Sequence, residues 1–107
     1  MSVEFVCLTL IAGRSLRDEL FDYLSEQRDL VSGFTASDAA GHGPDVRLQT
    51  PEERVKGHAD ELMVRTILQA QEAAQLLERL KAEFAGSRIV YWIMPVWDFG
   101  ITDVLNQ

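Results

Sequence analysis

Two kinds of hydrophobic pattern alternate along the chain. Val3 to Ala12 is apolar at nearly every position. Phe5, Cys7, Thr9 and Ile11 would face one way and Val6, Leu8 and Leu10 the other, as in a strand buried on both sides. Gly13 ends that run. Leu16, Leu20, Tyr23 and Leu24 then recur at helical spacing, with Arg17, Asp18, Asp22 and Glu26 mostly opposite. The pattern predicts a helix over 15–27, capped by Ser15 and with Asp18 and Glu19 favouring its N-terminus. A second strand is expected from Val31 to about Asp38, and a third from Glu61 to Leu68, where Leu62, Val64, Thr66 and Leu68 share one face. Gln71 to Phe84 reads as a second helix, with Ala73, Leu76, Leu77, Leu80 and Phe84 on one side and Gly86 in the place of a C-terminal cap. Ser87 to Trp97 is a fourth strand, apolar on both faces, and Pro95 marks it as an edge strand or one with a bulge. Asp98 to Gln107 is weakly patterned.

The predicted order β-α-β-β-α-β, with right-handed crossovers, defines an α+β, ferredoxin-like domain. It has a four-stranded antiparallel sheet with two helices on one face. At 107 residues the chain makes a single domain, 1–107. The helices cover one face of the sheet, yet strands one and four are apolar on both. The uncovered face therefore predicts self-association.

Between strands two and three lies a stretch that this frame does not need. Residues 36–60 lack apolar periodicity and carry Gly41, Gly43, Pro44, Pro51 and Gly57. They also hold both histidines of the chain, His42 and His58. A long loop inside a compact domain is usually functional or disordered, and a flexible loop over about 36–60 is expected.

Charge narrows the partners. Seventeen acids against ten bases give a net charge of −7, and the longest basic clusters are only pairs or near-pairs. A nucleic-acid-binding surface is not expected on such a chain, nor is binding to an anionic membrane. The apolar runs are too short to span a bilayer, and no signal peptide is expected after Met1. The single cysteine, Cys7, fits a reducing compartment and a cytoplasmic location. Within an apolar strand it reads as a packing residue or, alternatively, a reactive thiol.

No set of residues has the placement of a catalytic constellation, so an enzyme is not expected. His42 stands between two glycines that would let a ligand, metal or partner approach the backbone, or else it is an exposed loop tip. His42 and His58 are the candidate metal ligands, which Asp38, Asp45, Glu52 or Glu53 could join, although their spacing matches no known metal motif. Gly33 and Thr35 sit at the base of the loop, where their residue types alone indicate a bulge and an ordinary strand residue. Tyr91, Trp92, Trp97 and Phe99 offer stacking surfaces or packing between sheets or subunits.

Gly33-Phe34-Thr35, Gly41-His42-Gly43, Glu53 to Gly57 and the closing Tyr91-Trp92-Ile93-Met94-Pro95-Val96 stand in the order found in the nitrogen-regulatory PII superfamily. Most of the chain resembles that superfamily. It is most similar to a small PII-like family often encoded beside heavy-metal efflux pumps of the resistance-nodulation-division type. The CutA-type cation-tolerance proteins share the same frame. The resemblance implies a homotrimer whose inner sheet faces pack together. It also implies a ligand cleft between subunits beside Gly33, Thr35, Gly41, His42 and Gly43, and a T-loop that docks on a target such as an efflux component. A CutA-like alternative is direct binding of a transition metal. The chain departs from PII proteins in two respects. No tyrosine lies between Gly33 and Asp60, and the connection Ala85-Gly86-Ser87-Arg88 has one glycine and no lysine. The second departure argues against the adenine-nucleotide phosphate cradle, which needs several backbone N–H groups and a cation.

Overall fold

The computed structural model describes residues 4–103. Four strands form one antiparallel sheet in the order β2-β3-β1-β4, with β1 at Phe5–Gly13, β2 at Thr35–Gly41, β3 at Ala59–Gln69 and β4 at Val90–Val96. Val3, the predicted start of β1, and Val104–Gln107 of the weakly patterned tail lie outside the described residues. A 3-10 turn, Arg14–Leu16, leads into α1, Arg17–Glu26. The second long helix, α3, is Ala70–Glu83. The α+β, ferredoxin-like architecture is the one expected, with a short third helix added: α2, Pro51–Lys56.

The period-two reading of the central strands holds. Val6, Leu8, Leu10 and Ala12 of β1 and Leu62, Val64 and Leu68 of β3 are buried. They meet Leu20 and Leu24 of α1 and Ala73, Leu76 and Leu80 of α3 in one cluster. Tyr23 packs edge-on against Phe84, with ring centroids 5.5 Å apart, joining the two helices at the rim.

Ser15 does not cap α1. It lies inside the 3-10 turn, and the N-cap position is Leu16, with no side-chain cap bond. Asp18 and Glu19 do occupy the first turn of the helix. The second strand also begins later than Val31. The Val31 amide donates to the Gln27 carbonyl at 2.8 Å. Leu30 and Val31 are therefore buried as a turn beneath the helices, not as strand residues. Gly33 precedes the ladder and so is no bulge, and its carbonyl accepts from the Thr66 hydroxyl at 2.7 Å.

β2 continues to Gly41 through residues assigned from sequence to the loop. Its backbone pairs with β3 from Thr35↔Arg65 to Gly41↔Ala59 while most of its side chains are exposed. Backbone hydrogen bonds hold this part of the strand without an apolar face, which is why no periodicity marks it.

β4 is an edge strand, as Pro95 suggested. Val90, Trp92 and Met94 pair with Ile11, Thr9 and Cys7 of β1, on the face turned away from the core. Val90, Trp92 and Met94 are all exposed, at 56%, 39% and 54%. The uncovered apolar face deduced from the two-sided strands is therefore present in the single chain.

Candidate functional site

The β2–β3 hairpin runs past the end of β1 and carries the excursion 42–58. Its base is held by side chains recruited from several parts of the sequence. Arg14, just after β1, donates from Nη2 to the carbonyls of Ala39 (3.3 Å) and Glu61 (3.4 Å). Its guanidinium also lies 3.4 Å from Asp38 and 3.8 Å from Asp60. A planar cation with several donors suits a position where two strands and two carboxylates converge.

α2 is built from strong local signals. Thr50 accepts from the Glu53 amide at 3.1 Å, and the Glu53 carboxylate accepts from the Thr50 amide at 3.1 Å, completing a capping box. Pro51 opens the helix, and Gly57 ends it at φ 80° in the left-handed region. The same Glu53 carboxylate accepts from the Gln49 and Asp60 amides. Glu53 is buried, and these N–H groups, that of Asp60 foremost, hold its carboxyl below the usual carboxylate range. Glu61 is shifted the other way, first by burial and then by the charge of Glu53.

Beside this base, Asp45, Arg47 and Gln49 of the excursion face the β1 end at Gly13 and Ser15 and the α3–β4 connection at Gly86, Ser87 and Arg88. They enclose a cleft of about 390 Å³. Arg88 has φ 57°, an uncommon conformation for a residue with a side chain. It donates to the Asp45 carbonyl at 3.0 Å, so this connection holds the excursion directly. Sequence reasoning missed the roles of Arg14, Arg88 and Glu53. For Glu53 a signal existed in Thr50-Pro51-Glu52-Glu53. For the arginines the partners are distant in sequence and no local pattern points to them.

The expected site residues fall into two groups. Gly41, His42, Gly43 and His58 gather at the far end of the hairpin. Gly33 and Thr35 lie toward the other end of β2, roughly 20 Å from Gly41 at 3.3 Å per residue. His42 and His58 follow directly on the Gly41↔Ala59 pair, with ring centroids 5.4 Å apart. A Cβ at Gly41 would collide with the Glu61 side chain, which would have to move, whereas Gly43 has φ 122°, where a side chain is strained. Of the four acids that could join the histidines, two are engaged elsewhere: Glu53 by backbone amides and Asp38 by Arg14. Among the described residues, no group of three or more histidines, cysteines, aspartates or glutamates is placed to hold a metal ion. Of the aromatics, Trp92 faces the open side of the sheet, Tyr91 lies under the Lys81 ammonium (5.2 Å) and Phe99 packs on Phe5 (5.6 Å). Trp97 is 97% exposed.

The fold is shared with solved PII-like proteins. A putative PII-like signalling protein from Thermus thermophilus superposes with a TM-score of 0.63 at 22% identity, covering 90% of each chain. CPII, a nitrogen-regulatory PII-like protein from Thiomonas intermedia K12 bound to ADP, AMP and bicarbonate, gives 0.65 at 17% identity, covering 86% of this chain and 89% of its own. The chain itself belongs to the DUF3240 family of proteins of unknown function, whose model matches residues 2–103. A DUF3240 family protein from Shewanella baltica OS155 is similar over 94% of this chain and 98% of its own, with a TM-score of 0.73 and 24% identity. None of the curated proteins matches. Among the described residues, no helix is long and apolar enough to cross a membrane.

Proposed function

We propose that this chain is a PII-like regulatory protein of the cytoplasm, a binding protein and not an enzyme. It acts as a homotrimer, senses a small molecule at the cleft beside the hairpin base, and signals through the excursion 42–58. The observation that carries the reading is the open apolar face formed by β1 and β4, with Trp92 and Met94 exposed beside Cys7 and Thr9. An apolar sheet face of this kind is normally covered, and a second copy of the chain presents the same surface. The PII-like resemblance implies that three copies close around it.

The cleft supplies the sensing element. It touches the excursion at Asp45 and Arg47 and the α3–β4 connection at Ser87 and Arg88, so a ligand seated there contacts both. Ligand contacts that favour one arrangement of the excursion shift its population, and the ordered excursion then docks on or leaves a target. A heavy-metal efflux component is the target that the family resemblance implies.

The test joins two measurements. Light scattering should give a mass of three chains, and limited proteolysis within 43–57 should slow when the right member of a panel of nucleotides and small anions is added. A monomer would overturn the reading, as would cleavage at an unchanged rate with every ligand. Co-purification with an efflux component, tested with and without deletion of 43–57, checks the target separately.

A further inference from the structure

The two histidines at the end of the hairpin have no part in the cleft. His42 is exposed and His58 is half-buried. They extend from neighbouring strands at the point where the β2–β3 ladder stops, and their rings stand 5.4 Å apart, tilted by 54°. Two imidazoles sharing one tetrahedral ion, with metal–nitrogen bonds of about 2.0 Å, have ring centroids roughly 5 Å apart. The observed separation is short enough for both rings to reach one ion.

A second feature points the same way. Nδ1 of His58 is shut off from solvent and has no hydrogen-bond partner among the described residues. Buried polar atoms are nearly always paired, and leaving one unpaired costs stability. Coordination through Nδ1 itself would give that atom its partner and leave the proton on Nε2. The nearby acids do not compete for the position. Glu53 is occupied by three amides, and Asp60 lies beside Lys56 and Arg14.

We propose that His42 and His58 together bind one first-row transition-metal ion at the mouth of the excursion, with water in the remaining coordination positions. Imidazole donors with open positions suit copper, nickel and zinc, and copper(II) should bind most tightly in the divalent series. Because the ligands stand at the two ends of segment 43–57, the ion closes that segment into a loop. Closure by a metal clip removes freedom from the chain between its ligands. The site is separate from the cleft and does not depend on a ligand there.

Calorimetric titration of the full chain with copper(II), zinc(II) and nickel(II) tests the site, beside His42→Asn and His58→Gln variants whose folding is checked by circular dichroism. The expected result is one ion per chain with a Kd below about 10 μM for copper, weakened at least tenfold by either substitution. Copper(II) electron paramagnetic resonance should show coupling to two nitrogens, falling to one in His42→Asn. Absence of binding tighter than that limit overturns the proposal. So does binding that survives both substitutions, or binding that needs only one of the two histidines. Slower proteolysis within 43–57 on adding copper alone would establish the clip, and an unchanged rate with copper bound would overturn the loop-closing role. Light scattering and the ligand panel without metal test the trimer and its cleft separately, so failure of one proposal is distinguishable from failure of the other.

Discussion

The Glu53 carboxylate accepts the backbone N–H of Asp60, tying the first turn of α2 to the start of β3. With the amides of Gln49 and Thr50 on its other oxygen, one buried side chain joins three separate points of the excursion. Glu53→Gln keeps the size but replaces one acceptor oxygen with a donor that faces N–H groups. Protease cleavage within 43–57 should speed up several-fold, while the far-ultraviolet circular dichroism of the domain stays unchanged. Equal cleavage of variant and wild type would show that the latch does not restrain the segment.

The same contact predicts a pH dependence. The carboxyl of Glu53 is held below its ordinary value, so its contribution is fully present above the unfolded-state value, near 4.3 for a free glutamate. It is lost as the pH falls through the lower folded-state value. Glu61, raised by burial, works in the opposite sense: its contribution is present in acid and is lost as the pH rises through its folded-state value. The added loosening of the excursion as the pH falls below about 4, read by hydrogen exchange at Gln49, Thr50 and Asp60, should therefore be present in wild type and absent in Glu53→Gln, which is loosened at every pH.

The uncovered sheet face makes a third prediction. Trp92→Asp places a charge on the face that carries Val90, Met94 and Cys7, above the buried Thr9. Trp92 is exposed in the single chain, so the fold of that chain should survive while association is lost. Light scattering of Trp92→Asp should report one chain. By contrast, Leu76→Ala empties a position with no exposure in the core. It should cost about 2–5 kcal/mol in denaturant unfolding without directly altering the interface. An assembly unaffected by Trp92→Asp would place the contact elsewhere.

These elements differed in how far the sequence disclosed them. The central strands and α3 were legible because their side chains divide between a core and an outer face, so the pattern of burial is written in residue type. Even the missing cover over the sheet could be read, since Trp92 and Met94 are apolar on the face opposite the one that α1 and α3 cover. The last residues of β2 were not legible, because Ala39 to Gly41 are held by backbone pairing and their side chains sort into no pattern. α2 was legible in principle. Thr50, Pro51, Glu53 and Gly57 are its start and stop signals, but a six-residue helix shows too little periodicity to be noticed beside them. The histidine pair shows the limit of spacing arguments. Sixteen positions apart, the two residues meet only because the register Gly41↔Ala59 folds them together.

That register also makes Gly41 a test of how tightly the hairpin end is packed. Replacing a strand glycine by alanine ordinarily stabilises, by roughly 0.5–1 kcal/mol, because the unfolded chain loses freedom. Here the added Cβ falls on the Glu61 carboxylate, so one of the two must move. Glu61 is a flexible side chain, but it is partly buried and its backbone carbonyl is held by Arg14. Gly41→Ala should therefore destabilise the wild-type chain. In a Glu61→Ala background the obstruction is gone, and the same substitution should become neutral or stabilising. The difference between the two effects is the coupling of the pair, and residues in contact show about 0.5–3 kcal/mol. Urea unfolding of the four proteins measures it. Equal effects of Gly41→Ala in both backgrounds would mean that the Glu61 carboxylate does not rest over Gly41.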